Sequence, residues 1–103
     1  MCFVYRFPQM RIEVEILNEL GLHARPAAEF VRAVQKFKCE VTICKDGETY
    51  SAASILDVLS ANLDCGARIA LDADGPDAEQ ALEKLQRLLH DFRDQENRER
   101  HQR

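Results

Sequence analysis

The apolar residues of this chain switch between a spacing of two and a spacing of three to four, and each switch closes one structural element. Ile12, Val14 and Ile16 alternate with Arg11, Glu13 and Glu15, which predicts a half-buried strand over residues 11–17. Gly21 supplies the turn that follows. Over residues 24–38 the spacing lengthens, and Ala27, Phe30, Val31, Val34 and Phe37 form one stripe of a helix. Pro26 is tolerated only in a first turn, where its missing N–H had no intrahelical acceptor, so the helix starts within a residue or two of His23.

A second strand over residues 39–44 points Val41 and Ile43 inward, and Lys45-Asp46-Gly47-Glu48 reads as a hairpin turn into a short strand over 48–51. Residues 54–63 read as a small helix. It opens with Ser54 and Asp57 in the S-x-x-D form of a capping box, with Ile55 and Leu59 facing the core and Leu56 outward. Gly66 ends it. A fourth strand over 67–73 puts Ile69, Leu71 and Ala73 on one face. After Gly75-Pro76, Asp77 with Gln80 marks the start of a helix whose stripe is Ala78, Leu82, Leu85, Leu89 and Phe92. Nothing apolar follows Phe92, and the remainder reads as a solvated, frayed tail.

The order β-α-β-β-α-β-α predicts an α+β domain, an antiparallel sheet with helices on one face. Local patterns leave the strand order open. With 103 residues there is room for one domain, placed at residues 10–92 between an N-terminal extension (1–9) and a polar C-terminal tail (93–103).

Composition removes several classes of function. A net charge of −4 gives no general grip on nucleic acid phosphates, and no apolar run approaches the roughly 20 residues that span a bilayer. Arg6 and Pro8 interrupt the apolar start, so no signal peptide is expected. Cys2, Cys39, Cys44 and Cys65 have neither CxxC nor paired metal spacing, which suits reduced thiols in a cytoplasmic protein. No metal site, Gly-rich nucleotide loop or cofactor is expected.

The chemistry concentrates in Gly21-Leu22-His23-Ala24-Arg25-Pro26. A histidine at a helix N-terminus meets unpaired N–H groups and the positive end of the helix dipole. These disfavour imidazolium and favour an arriving anion. Arg25 can add charge-assisted hydrogen bonds to phosphate oxygens. Nucleophile, anion cradle and cation thus lie together, as phosphoryl transfer requires.

The segment GLHARPAAEFV resembles the active-site segment of the HPr family, the histidine phosphocarriers of the phosphoenolpyruvate-dependent phosphotransferase system. Similarity continues through Ser54-Ile55-Leu56 and Gly66-Ala67-Arg68-Ile69 to the last helix. The resemblance implies an open-faced sandwich, a four-stranded antiparallel sheet in the order 1-4-2-3 covered on one side by three helices. It implies that His23 takes a phosphoryl group on Nδ1 from Enzyme I and passes it to Enzyme IIA domains. Arg25 and Pro26 match the family's active-site arginine and proline, with Ala24 between them.

Ser54 matches a serine that HPr kinase/phosphorylase modifies in many lineages, besides its N-cap role. Ile55, Leu56 and Leu59 match the apolar patch that partners cover. A monomer is expected. The chain departs from the family's pattern at Asp57, where Gly or Lys is usual, at Asn62 and Ala53, and in longer ends. Two alternatives remain. One is a regulatory carrier of a nitrogen-type phosphotransferase chain; the other is a binding module in which His23 is only a helix cap.

Overall fold

The computed structural model describes residues 9–101; the expectations for residues 1–8 and 102–103 lie outside that range. Seven elements follow in order: β1 (Gln9–Glu15), α1 (Ala24–Gln35), β2 (Glu40–Lys45), β3 (Glu48–Ser51), α2 (Ile55–Ser60), β4 (Arg68–Asp74) and α3 (Ala78–His101). The strands form one antiparallel sheet in the order β1-β4-β2-β3. β4 therefore lies between β1 and β2, and reaching that place takes the chain across the sheet through α2.

The inward residues of the sheet, Val41, Ile43, Ile69, Leu71 and Ala73, are buried with Phe30, Val34, Leu82, Leu85, Leu89 and Phe92 from the helices. The opposite face is open and polar. There the sheet register sets Arg11 opposite Asp72 and Glu15 opposite Arg68, ion-paired at 3.1 and 3.6 Å. Both pairs are solvated, so they contribute little to stability. The Cys44 thiol donates to the Asp72 carboxylate at 3.2 Å on the same face.

One joint ties the start of α3 to the connection between α1 and β2. The carboxylate of Asp77, just before α3, accepts from the backbone N–H groups of Lys38 and Cys39 at 2.8 Å each. The expected helix-start residue thus also closes the α1–β2 connection. Burial, followed by the neighbouring Asp77 carboxylate, pushes the Cys39 thiol up to about 11, which suits an inert core thiol. In the hairpin, Asp46 and Gly47 take φ of 51° and 80°, as a tight two-residue turn needs.

The structure moves several expected boundaries. β1 ends at Glu15, yet Ile16 stays coupled to the entry of β4 through Ile16 N–H to Ala67 O and Gly66 N–H to Ile16 O. α1 stops at Gln35, and Phe37 packs from the turn beyond it. α2 has only six residues, too few to bury a full stripe. Val58 is buried, but Ile55 and Leu59 are 37% and 39% exposed and are not core residues. Leu56, at 73%, is outward as expected.

The largest difference is at the C-terminal end. The stretch after Phe92 is not frayed: α3 continues as helix to His101. Its exposure agrees with the polar composition, since Arg93, Asp94, Asn97 and Arg98 all face solvent. Helix formation there needs no core, because Arg, Gln and Glu are good helix formers and the helix is already nucleated.

Candidate functional site

His23 is delivered by a short, closely fixed loop. The buried Asn18 donates through Nδ2 to Gly21 O at 2.6 Å, and Gly21 N–H returns to Asn18 O at 3.0 Å. Leu22 N–H then binds Leu63 O at 2.8 Å, which seals the loop against the turn after α2. Gly21 adopts φ of +65°, and a Cβ there would stand 2.5 Å from Leu63 O and 2.9 Å from Asp64 Cα. Only glycine fits this backbone without displacing the turn after α2.

His23 is the N-cap residue of α1, with extended backbone angles, and its side chain makes no capping hydrogen bond. Its carbonyl accepts from Ala27 N–H at 2.9 Å and starts the helical ladder. The imidazole remains exposed to solvent. Pro26, in the first turn, has no N–H to leave unsatisfied. No acidic side chain lies in that turn, so nothing there offsets the positive end of the helix dipole. Arg25 is exposed beside His23.

A shallow depression of about 80 Å³ adjoins this point, lined by His23, Arg25, Pro26, Glu29, Gln95 and Glu96 among others. Larger hollows, of about 730 and 500 Å³, lie on the open face of the sheet among charged side chains. Neither includes His23. Among the described residues no group of His, Cys, Asp and Glu could hold a metal ion, and Cys39, Cys44 and Cys65 are free thiols.

α2 carries the other predicted site residues. Ser54 is its N-cap, and Oγ accepts from Asp57 N–H at 3.3 Å. The capping box is only half made, because the Asp57 carboxylate accepts from Ser51 N–H at 3.0 Å instead of Ser54 N–H. The acidic residue that departs from the family pattern is therefore engaged in joining β3 to α2. Asn62 adopts φ of 51°, the left-handed conformation that asparagine tolerates better than most residues. Lys45 Nζ donates to Ala61 O and Asn62 O at 2.9 and 2.6 Å, closing the C-terminal end of the helix.

The structure therefore groups His23, Arg25 and Pro26 at one helix start. Through the Leu22–Leu63 bond it brings the far end of α2 against the same loop, while Ser54 stands at the opposite end of that short helix. Leu56 is fully presented, and Leu20, 65% exposed in the His23 loop, is a second outward apolar residue that sequence reasoning missed. Asn18, Lys45 and Glu96 were missed as well. Of these, only Glu96 carried a signal: it lies four residues after Phe92, on the continuation of the buried stripe.

Residues 10–91 match the family model described as the PTS HPr component phosphorylation site. The chain is 38% identical over 77 residues to the phosphocarrier protein HPr of Vibrio cholerae, covering 75% of this chain and 91% of that one. The crystal structure of HPr from Bacillus anthracis superposes with a TM-score of 0.75 at 38% identity, covering 78% of this chain and 95% of that one. An HPr dimer from Thermoanaerobacter tengcongensis superposes with a TM-score of 0.66, also at 38% identity, covering 77% and 91%.

Proposed function

The chain belongs to the HPr family, and from that premise we propose that it is a phosphocarrier of the phosphoenolpyruvate-dependent phosphotransferase system acting through His23. The observation that carries this reading is an exposed imidazole at a helix N-terminus that takes no part in capping the helix. An unprotonated ring nitrogen of His23 attacks phosphorus in line. The N–P bond to the donor histidine of Enzyme I breaks, and its electron pair leaves with the donor nitrogen. The transition state spreads charge over the phosphoryl oxygens, where Arg25 and the helix N-terminus offset it. Donor and acceptor are both imidazoles, so the step is readily reversible and the group passes on to an Enzyme IIA domain.

The apolar face of α2, with Leu56 foremost and Ile55 and Leu59 on its rim, is the docking surface in this reading. Its exposure supports that role, since large apolar side chains outside a core favour a partner that covers them. Ser54 is the regulatory serine for an HPr kinase/phosphorylase. A phosphate at this N-cap would meet a favourable dipole, and its charge would act on docking instead of on the fold. The chain works as a cytoplasmic monomer, which leaves His23 open to each partner in turn. No helix among the described residues is long and apolar enough to cross a membrane.

The test is intact mass after incubation with Enzyme I and phosphoenolpyruvate, for the wild type and His23→Ala. One phosphoryl group on the wild type alone, lost in mild acid, is the expected outcome. An unlabelled wild type beside a labelled control carrier overturns the reading.

A further inference from the structure

The family model ends at residue 91, whereas α3 runs on to His101. The face of α3 that buries Leu85, Leu89 and Phe92 continues, at helical spacing, to Gln95 and Glu96. These two are half-buried, while Arg93, Asp94, Asn97 and Arg98 are exposed. Past the end of the core, this face therefore lies against another part of the molecule. That part is the His23 loop: the Glu96 carboxylate accepts from Leu20 N–H at 3.3 Å through Oε1 and at 3.4 Å through Oε2. Gln95 and Glu96 also wall the depression that contains His23 and Arg25.

The loop is thus held from three directions. Asn18 ties it to itself, Leu63 O holds Leu22 from the side of α2, and Glu96 holds Leu20 from the side of α3. The Glu96 bond is exposed and replaces a bond to water, so its net effect on folding is small. Transfer rates, by contrast, depend steeply on the placement of the reacting atoms.

We propose that Glu96, carried by the helical extension of α3, is a positioning residue for phosphoryl transfer at His23, acting through the Leu20 backbone. This rests on the phosphocarrier reading. The bond limits the swing of the turn that leads into α1 and so narrows the range of His23 ring positions offered to a partner. A neutral acceptor of the same length can do the same, so the effect depends on the bond and not on the charge.

The experiment compares full-length wild type, Glu96→Ala and Glu96→Gln. It reads Leu20 amide exchange by NMR, and the rate of phosphoryl uptake from phospho-Enzyme I over a range of Enzyme I concentrations. Glu96→Ala should speed Leu20 exchange about tenfold and lower the saturating rate roughly three- to tenfold, with KM and the urea midpoint nearly unchanged. Glu96→Gln should restore both exchange and rate. An unchanged saturating rate in Glu96→Ala overturns the proposal, and so does a raised KM with an unchanged saturating rate, which would make the extension a docking contact. A Glu96→Gln variant with restored exchange but a slow rate also overturns it, in favour of the charge. A wild type that takes no phosphoryl group overturns the phosphocarrier reading and this proposal together.

Discussion

α1 and α2 lie on the same side of the sheet and pack against each other, yet they are held by different forces. α1 buries Ala27, Phe30, Val31, Ala33 and Val34; α2 buries Val58 alone. The longer helix is anchored by its apolar stripe, so its N-terminus is free to present chemistry. The shorter one is anchored at its ends, by Ser54 and Asp57 at one and Lys45 at the other. That arrangement lets α2 turn Leu56 to solvent. Core packing fixes the helix that begins at His23, and polar end-ties fix the apolar surface of α2.

Substitutions in the two helices should separate these modes. The largest effect is expected at Phe30, fully buried under α1, where Phe30→Ala should cost about 3–5 kcal/mol in urea unfolding. A loss under about 1 kcal/mol would mean that α1 does not depend on its stripe.

Gly21→Ala should come next, at about 1–3 kcal/mol, because its Cβ meets the backbone of Leu63 and Asp64. Its amide shifts should spread to the turn after α2, showing that the His23 loop and α2 share one seam; shifts confined to the loop would break that link.

Ser54→Ala should cost about 1 kcal/mol, with most of the added hydrogen exchange confined to α2. The smallest effect is expected for Leu56→Ala, within roughly 0.5 kcal/mol of wild type, while affinity for Enzyme I drops measurably in titration calorimetry. A stability loss as large as that of Phe30→Ala would place Leu56 in the core and remove the contrast between the helices.

How much of this was legible in the sequence follows from the same contrast. The stripe of α1 and the alternation of Ile12, Val14 and Ile16 are local patterns, and the elements they predict are present within a few residues. So is the helix start at His23, because Pro26 restricts it to one turn. α2 is too short for periodicity to decide which side is buried; contacts from α1 and β3 decide it, and Ile55 and Leu59 come out on the rim. The strand order is non-local by nature and came through the family resemblance.

The end of α3 was misread because a period of apolar residues stops at Phe92, while helix propensity does not. At the candidate site, the place of His23 and Arg25 at the start of α1 was legible from Pro26 and the apolar stripe. The anchor Asn18 was not, since it acts through a backbone group that no side-chain pattern reports; Glu96 showed only its place on the continued stripe of α3, not its bond to Leu20.

The joint at Asp77 also makes the fold sensitive to protons. The N–H groups of Lys38 and then Cys39 stabilise the ionised carboxylate against some desolvation, and hold its pKa below the ordinary 3.8. A group whose affinity for protons is lowered by folding adds stability above its unfolded value and loses it as pH falls through the folded one. Acid should therefore loosen the link between the exit of α1 and the entry of α3. In thermal melts from pH 6 down to about 2, Asp77→Asn should start from a lower midpoint and fall less steeply than the wild type, so that the two curves converge at the acid end. Parallel curves would assign acid sensitivity to other carboxylates and leave Asp77 as a purely neutral tether.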